Sequence, residues 1–119
     1  MELTIYTRRP IEADAINNFK NFYYSSQMKF LASELLNKGL SPNQISEAVQ
    51  MAVAIANASK IDTSKHFMPV YSALNREIIK DCKLSQLGYG LVLMNANTNL
   101  SVVGDFQILV LKEFFNVNY

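Results

Sequence analysis

Apolar and polar positions along this chain change period several times, and each change marks a predicted element. Leu3 and Ile5 alternate with Thr4 and Tyr6, the period-two pattern of a short strand. From Pro10 onward the apolar residues fall at helical spacing: Ile11, Ala15, Phe19 and Phe22, then Phe30, Leu31 and Leu35. Pro10 suits a first helical turn, and Glu12 and Asp14 lie near the positive end of the dipole. The pattern predicts a helix to about Asn37, with Ser25-Ser26 as the place where it can break and Gly39 as its stop. Ser41, Pro42 and Gln44 then have the spacing of an N-cap, a first-turn proline and a capping-box partner. The helix they start carries Ile45, Ala48, Val49, Ala52, Val53 and Ala56 on one face, and Met51 and Ile55 on another. Two apolar flanks predict packing from both sides.

The period changes again after Ile61. Apolar residues around a polar "SALN" centre predict two short strands near 67–71 and 76–80, paired as a hairpin. Pro69 lacks an N–H, so its strand belongs at a sheet edge. The stretch "LSQLGYGLVLMNANTNLSVVGDFQ" predicts a helical hairpin. One helix starts at Asp81 or Ser85 and ends near Asn95; "NANTN" turns the chain, and Asn99 caps the next. The last helix has Val102, Val103, Phe106, Leu109, Val110 and Phe114 on one side and Ile108, Leu111 and Phe115 on the other. A helix apolar nearly all round is expected to be buried nearly all round, and a second copy or another partner is the simplest cover. The fold class expected is α+β, a mostly helical single domain over 1–119 with about four helices and two or three short strands.

Composition narrows the functional classes. Half of the 119 residues are apolar and 18% are charged, against about 25% charged in an average domain, so the surface has few charges. Net charge is +1, with small thickenings only at Arg8-Arg9 and around Arg76, Lys80 and Lys83, so no strong nucleic-acid footprint appears in the totals. A single cysteine, Cys82, excludes an intrachain disulfide, and a cytoplasmic setting is the expectation. The asparagines at 95, 97 and 99 interrupt the longest uncharged run, so no membrane association is expected.

Raw material for chemistry is sparse. His66 is the one histidine, no metal-ligand spacing is present, and Gly88 and Gly90 fit close helix packing better than a phosphate loop. No metal, cofactor or catalytic residue is predicted. A Cys82–His66 nucleophilic pair is the enzyme reading, and a small buried thiol beside a hydrogen-bonded histidine is the plainer one. "LNKGLSPNQISEAVQMA" has a helix-turn-helix outline, with Lys38, Ser41, Asn43, Gln44 and Glu47 as candidate nucleic-acid contacts; an ordinary helix corner has the same outline. Asn95, Asn97, Asn99, Phe106, Val110 and Phe114 are the candidate partner surface.

From Ile45 the chain, over about residues 45–115, resembles the DNA-damage-inducible protein D family and related phage antirepressor-type modules. The resemblance runs through "ISEAVQMAVAIANASKID", His66-Phe67, then Ile79, Asp81, Leu84 and Ser85, then Asn95-Ala96 and Gln107. Two pieces differ from the family: "NTNLS" replaces an acidic-proline turn, and "ILV" stands where an aromatic pair follows the glutamine. The resemblance implies a bacterial or phage regulatory protein of the DNA-damage or lysogeny response, with no enzymatic reaction. The expected role is therefore a non-catalytic module acting as a homodimer on a protein target, with DNA as the other candidate. The alternative is a stand-alone inhibitor or immunity protein that blocks a nuclease or toxin. Asp81, Ser85, Asn95 and Gln107, the polar groups at the edges of the apolar hairpin, are expected to hydrogen-bond backbone at helix ends; the competing reading makes them a recognition surface.

Overall fold

A computed structural model describes residues 8–96 and 100–116, with side chains described from residue 15 onward. The predicted strand at Leu3–Tyr6, and Asn97 and Asn99, lie outside the described residues. The rest is α+β and mostly helical. Helix α1 (Arg8–Gln27) leads into strand β1 (Phe30–Leu31) and a 3-10 helix (Ala32–Lys38). Helix α2 (Pro42–Ala58), a 3-10 turn (Thr63–Lys65), strands β2 (Phe67–Leu74) and β3 (Glu77–Leu84), and helices α3 (Gln86–Met94) and α4 (Ser101–Phe115) follow.

The first helix does not run to Asn37. It ends at Gln27, and Phe30-Leu31 pair with Lys83-Leu84 as an antiparallel strand. The break falls where helix propensity is weakest: Ser26 Oγ bonds back to the Tyr23 carbonyl at 2.6 Å, and Met28 N–H closes on Ser25 O. The 3-10 helix then carries Ala32 and Leu35 into the core, one three-residue turn apart. Gly39 ends it at φ 104, where its N–H reaches the Leu35 and Leu36 carbonyls.

Helix α2 begins as predicted. Ser41 Oγ accepts from Gln44 N–H, and Gln44 Oε1 accepts from Ser41 N–H, the full reciprocal box. Its buried face is Ile45, Ala48, Ala52 and Ala56, small enough to let α3 approach closely. The second flank is not packed among the described residues: Met51 and Ile55 are exposed.

The sheet order is β1-β3-β2, all antiparallel, so β2 with Pro69 is an edge strand. Both strands are longer than the sequence pattern indicated. Ser72, Ala73 and Leu74 continue the ladder, and only Asn75 and Arg76 turn, with φ 51 and 68. Two positive φ values in a two-residue loop are the signature of a type I′ hairpin, whose twist matches that of the strands.

The core joins α2, the hairpin base and α3, with Leu35, Leu84, Val92 and Val103 fully buried. Helix α4 packs on α3, but Val103 is the one buried residue on it, so the expectation of near-complete burial fails for this chain alone. It starts at Ser101 with Leu100 at the N-cap and no side-chain cap, later than the Asn99 cap predicted.

Candidate functional site

Between the hairpin and α2 lies a groove of about 380 Å³, within the range of ligand and peptide pockets. One wall is Pro42, Ile45, Ser46, Val49 and Gln50 of α2. The others are Ala32, Ser33 and Leu36 of the 3-10 helix and Leu74 with Ile79–Cys82 of the hairpin. Its shape follows from the local code. The capping box fixes where α2 starts, and the type I′ turn fixes how the two strands lie beside it.

Asp81 braces the groove. Its carboxylate accepts four hydrogen bonds: from Ser33 N–H at 3.0 Å, Ser33 Oγ at 2.5 Å, Ser72 Oγ at 2.6 Å and its neighbour Cys82 N–H at 2.8 Å. One residue thus ties the 3-10 helix to both hairpin strands. Partial burial alone would raise its pKa. The bonds from Ser33, Ser72 and Cys82 outweigh that and hold the carboxyl below its usual value. With both oxygens so occupied, Asp81 is a poor general base. Burial pushes the adjacent Cys82 thiol upward, helped by the charge on Asp81. A thiol held protonated is a weak nucleophile.

The histidine is not paired with the cysteine in any described hydrogen bond. His66 Nδ1 lies 2.7 Å from Ser85 Oγ, whereas Cys82 Sγ turns to the Lys83 carbonyl. A serine–histidine contact has the outline of a nucleophile and its base. Here Ser85 is 8% exposed, its oxygen accepts from Gly88 N–H as the N-cap of α3, and neither residue lines the groove. The contact fastens α3 to the hairpin entry, as does Ser85 N–H to His66 O at 3.0 Å. Gly88 belongs to the same junction: a Cβ there would stand 2.6 Å from His66 O. Gly90 is the glycine that faces a helix: a Cβ there would stand 3.6 Å from the Phe106 ring of α4. Among the described residues no cluster of His, Cys, Asp or Glu could hold a metal ion, and no helix is long and apolar enough to cross a membrane.

No family model, curated protein or solved structure matches this chain. The polar residues singled out from sequence can nevertheless be placed. Asn95 donates its amide to Leu91 O at 2.8 Å, at the C-terminus of α3. Gln107, expected to bond main chain at a helix end, lies within α4 and donates to Leu93 O and Met94 O at 3.4 and 3.1 Å. It caps α3 from α4, and local pattern could not say which helix it would serve. With Asp81 and Ser85, every member of that polar set hydrogen-bonds main chain or accepts from it.

The candidate nucleic-acid contacts divide. Lys38, Asn43 and Glu47 are exposed, while the side-chain oxygens of Ser41 and Gln44 each accept from the other's backbone N–H. Gln44 and Glu47 meet Asn95, from the other candidate set, around a second hollow of about 270 Å³ with Met51 and Ala96. Of the candidate partner surface, Phe106 packs on the core and Val110 is half-buried, so the face they define points inward. Phe114 is 78% exposed because the last turn of α4 overhangs the body. Sequence reasoning missed the groove altogether, since its walls come from three separate segments spread between Ala32 and Cys82.

Proposed function

We propose that this chain is a non-catalytic regulatory module of the phage or DNA-damage-response kind, and that it works by receiving an apolar segment of a protein target in the groove between α2 and the hairpin. The observation that carries the reading is the groove itself: apolar over most of its lining, with Lys80 and Asp81 as its charged groups. The regulatory setting rests on the resemblance over residues 45–115. The chemistry of the walls favours protein over DNA. Glu47 is the one charged residue of α2, so that helix lacks the lysines and arginines that supply affinity for phosphates.

The test is selection of peptides on the full-length chain from a displayed random library. Apolar segments with helical or extended anchor spacing should be enriched. Their binding should fall at least tenfold in Ser46→Trp, which fills the groove from an exposed position, and hold in Phe114→Glu. Selected peptides indifferent to Ser46→Trp would place the target elsewhere. No selected peptide, together with duplex DNA binding that weakens steeply with salt, would give the module to DNA.

A further inference from the structure

Helix α4 has a second apolar line, separate from the one that faces α3. Gly104, Ile108, Leu111 and Phe115 follow one another at steps of four, three and four, the spacing of a seam between packed helices. Nothing among the described residues covers it. Ile108, Leu111 and Phe115 are 49%, 41% and 61% exposed, and a Cβ placed on Gly104 would meet no atom within 4 Å. We infer that this seam pairs with the same seam of a second copy, the two α4 helices running antiparallel.

The occupant follows from the order of sizes along the line. An antiparallel pair centred between Leu109 and Val110 sets Gly104 opposite Phe115, and Ile108 opposite Leu111. The one notch in the line meets its largest knob, and does so twice by the two-fold axis, as an isologous interface requires. A parallel pair would set glycine on glycine and phenylalanine on phenylalanine, leaving a void at one end and a clash at the other. Charge agrees with the antiparallel choice, because Asp105 and Lys112 share one flank and the axis brings each close to the level of the other. Ile108, Leu111 and Phe115 together offer on the order of 300 Å² per copy, less than half of what a standard interface takes from each partner, so a weak dimer, dissociating at roughly 10–100 µM, is expected. The inference does not depend on the groove, which lies on other elements.

The experiment is sedimentation of the full chain from about 1 to about 300 µM, joined to disulfide trapping in a Cys82→Ala background. The mass should rise toward twice 13.5 kDa over that range. An equal mixture of Ile108→Cys and Leu111→Cys chains should cross-link faster than either alone. Gly104→Phe, which fills the notch in open space, should weaken association at least tenfold without lowering the monomer's melting temperature. A monomer mass throughout would overturn the inference, as would faster trapping of Ile108→Cys with itself. Association unchanged in Gly104→Phe would move the contact to another face and overturn it too.

Discussion

Asp81 and Gln107 show how much a single polar side chain holds in this protein. Asp81 joins three elements through charged hydrogen bonds, each of a kind worth about 1.5–3 kcal/mol, so Asp81→Ala should lower the unfolding free energy by at least that amount in denaturant titration. Its pH signature has a definite sign. The folded-state pKa lies below the unfolded value near 3.8, so the contribution is complete above that value and is lost as pH falls through the folded one. Asp81→Asn should therefore flatten the acid limb of the stability profile. Gln107→Ala removes a cap from another helix and should cost about 0.5–1.5 kcal/mol, comparable with Asn95→Ala. If Gln107→Ala melts with the parent, the bonds to Leu93 and Met94 contribute nothing. Arg76 works in the other direction. It sits at φ 68 in the hairpin turn, where a side chain costs about 1–2 kcal/mol relative to glycine. Arg76→Gly should raise the melting temperature.

At the scale of elements, the junction of α3 with the hairpin is the least forgiving place. Gly88 has its neighbour's carbonyl where a Cβ would be, and that carbonyl is fixed by Ser85 N–H. Relief requires α3 to move off β2, so Gly88→Ala should cost about 1–3 kcal/mol or more, as overpacking does, although alanine is the better helix former. Gly104→Ala, in open space on α4, should stabilise by up to about 1 kcal/mol. The pair separates backbone approach from helix propensity, and equal effects of the two substitutions would contradict the packing described. Helix α1 has few such ties. Lys83 Nζ to Ser25 Oγ at 2.8 Å, Lys65 over the Tyr24 ring at 5.7 Å and the burial of Met28 hold its last turn.

The whole molecule is extended for its length. Its radius of gyration is 17.7 Å with extents of 63 × 38 × 21 Å, where a compact chain of this size would be near 13–14 Å. Ile16, Phe19, Phe22 and Tyr23 are all at least half exposed on the part of α1 that reaches beyond the body. A helix with so few tertiary contacts draws little of its stability from packing. Hydrogen exchange should find amides of residues 15–23 opening far more readily than those of α2. A chain starting at Tyr24 should unfold within about 1 kcal/mol of the parent. Protection of α1 equal to that of α2 would mean that a second molecule covers it under the conditions used.

Local chemistry alone determined the start of α2, the end of α3 at Asn95 and the edge position of the strand with Pro69, and it offered Ser85 or Asp81 as the cap of α3, of which the structure takes Ser85 and leaves Asp81 in β3. Each depends on residues within one turn of one another, or on a missing N–H, and the same bonds form whatever lies beyond. Tertiary structure decided the rest. Phe30 and Leu31 keep helical spacing yet form a strand, because Lys83 and Leu84 offer them a ladder that α1 cannot reach past Ser25 and Ser26. The apolar faces of α4 look alike in sequence, and contact with α3 buries Val103 and half-covers Val102, Phe106 and Val110 of one while Ile108, Leu111 and Phe115 of the other stay exposed. The groove required Ser33, Ser46 and Asp81 to come together across almost fifty residues, and Gln107 needed the neighbouring helix in place to have a carbonyl to cap. Period and propensity act along the chain, whereas burial depends on which surfaces meet, and a hydrophobic pattern records that a face is apolar without recording what covers it.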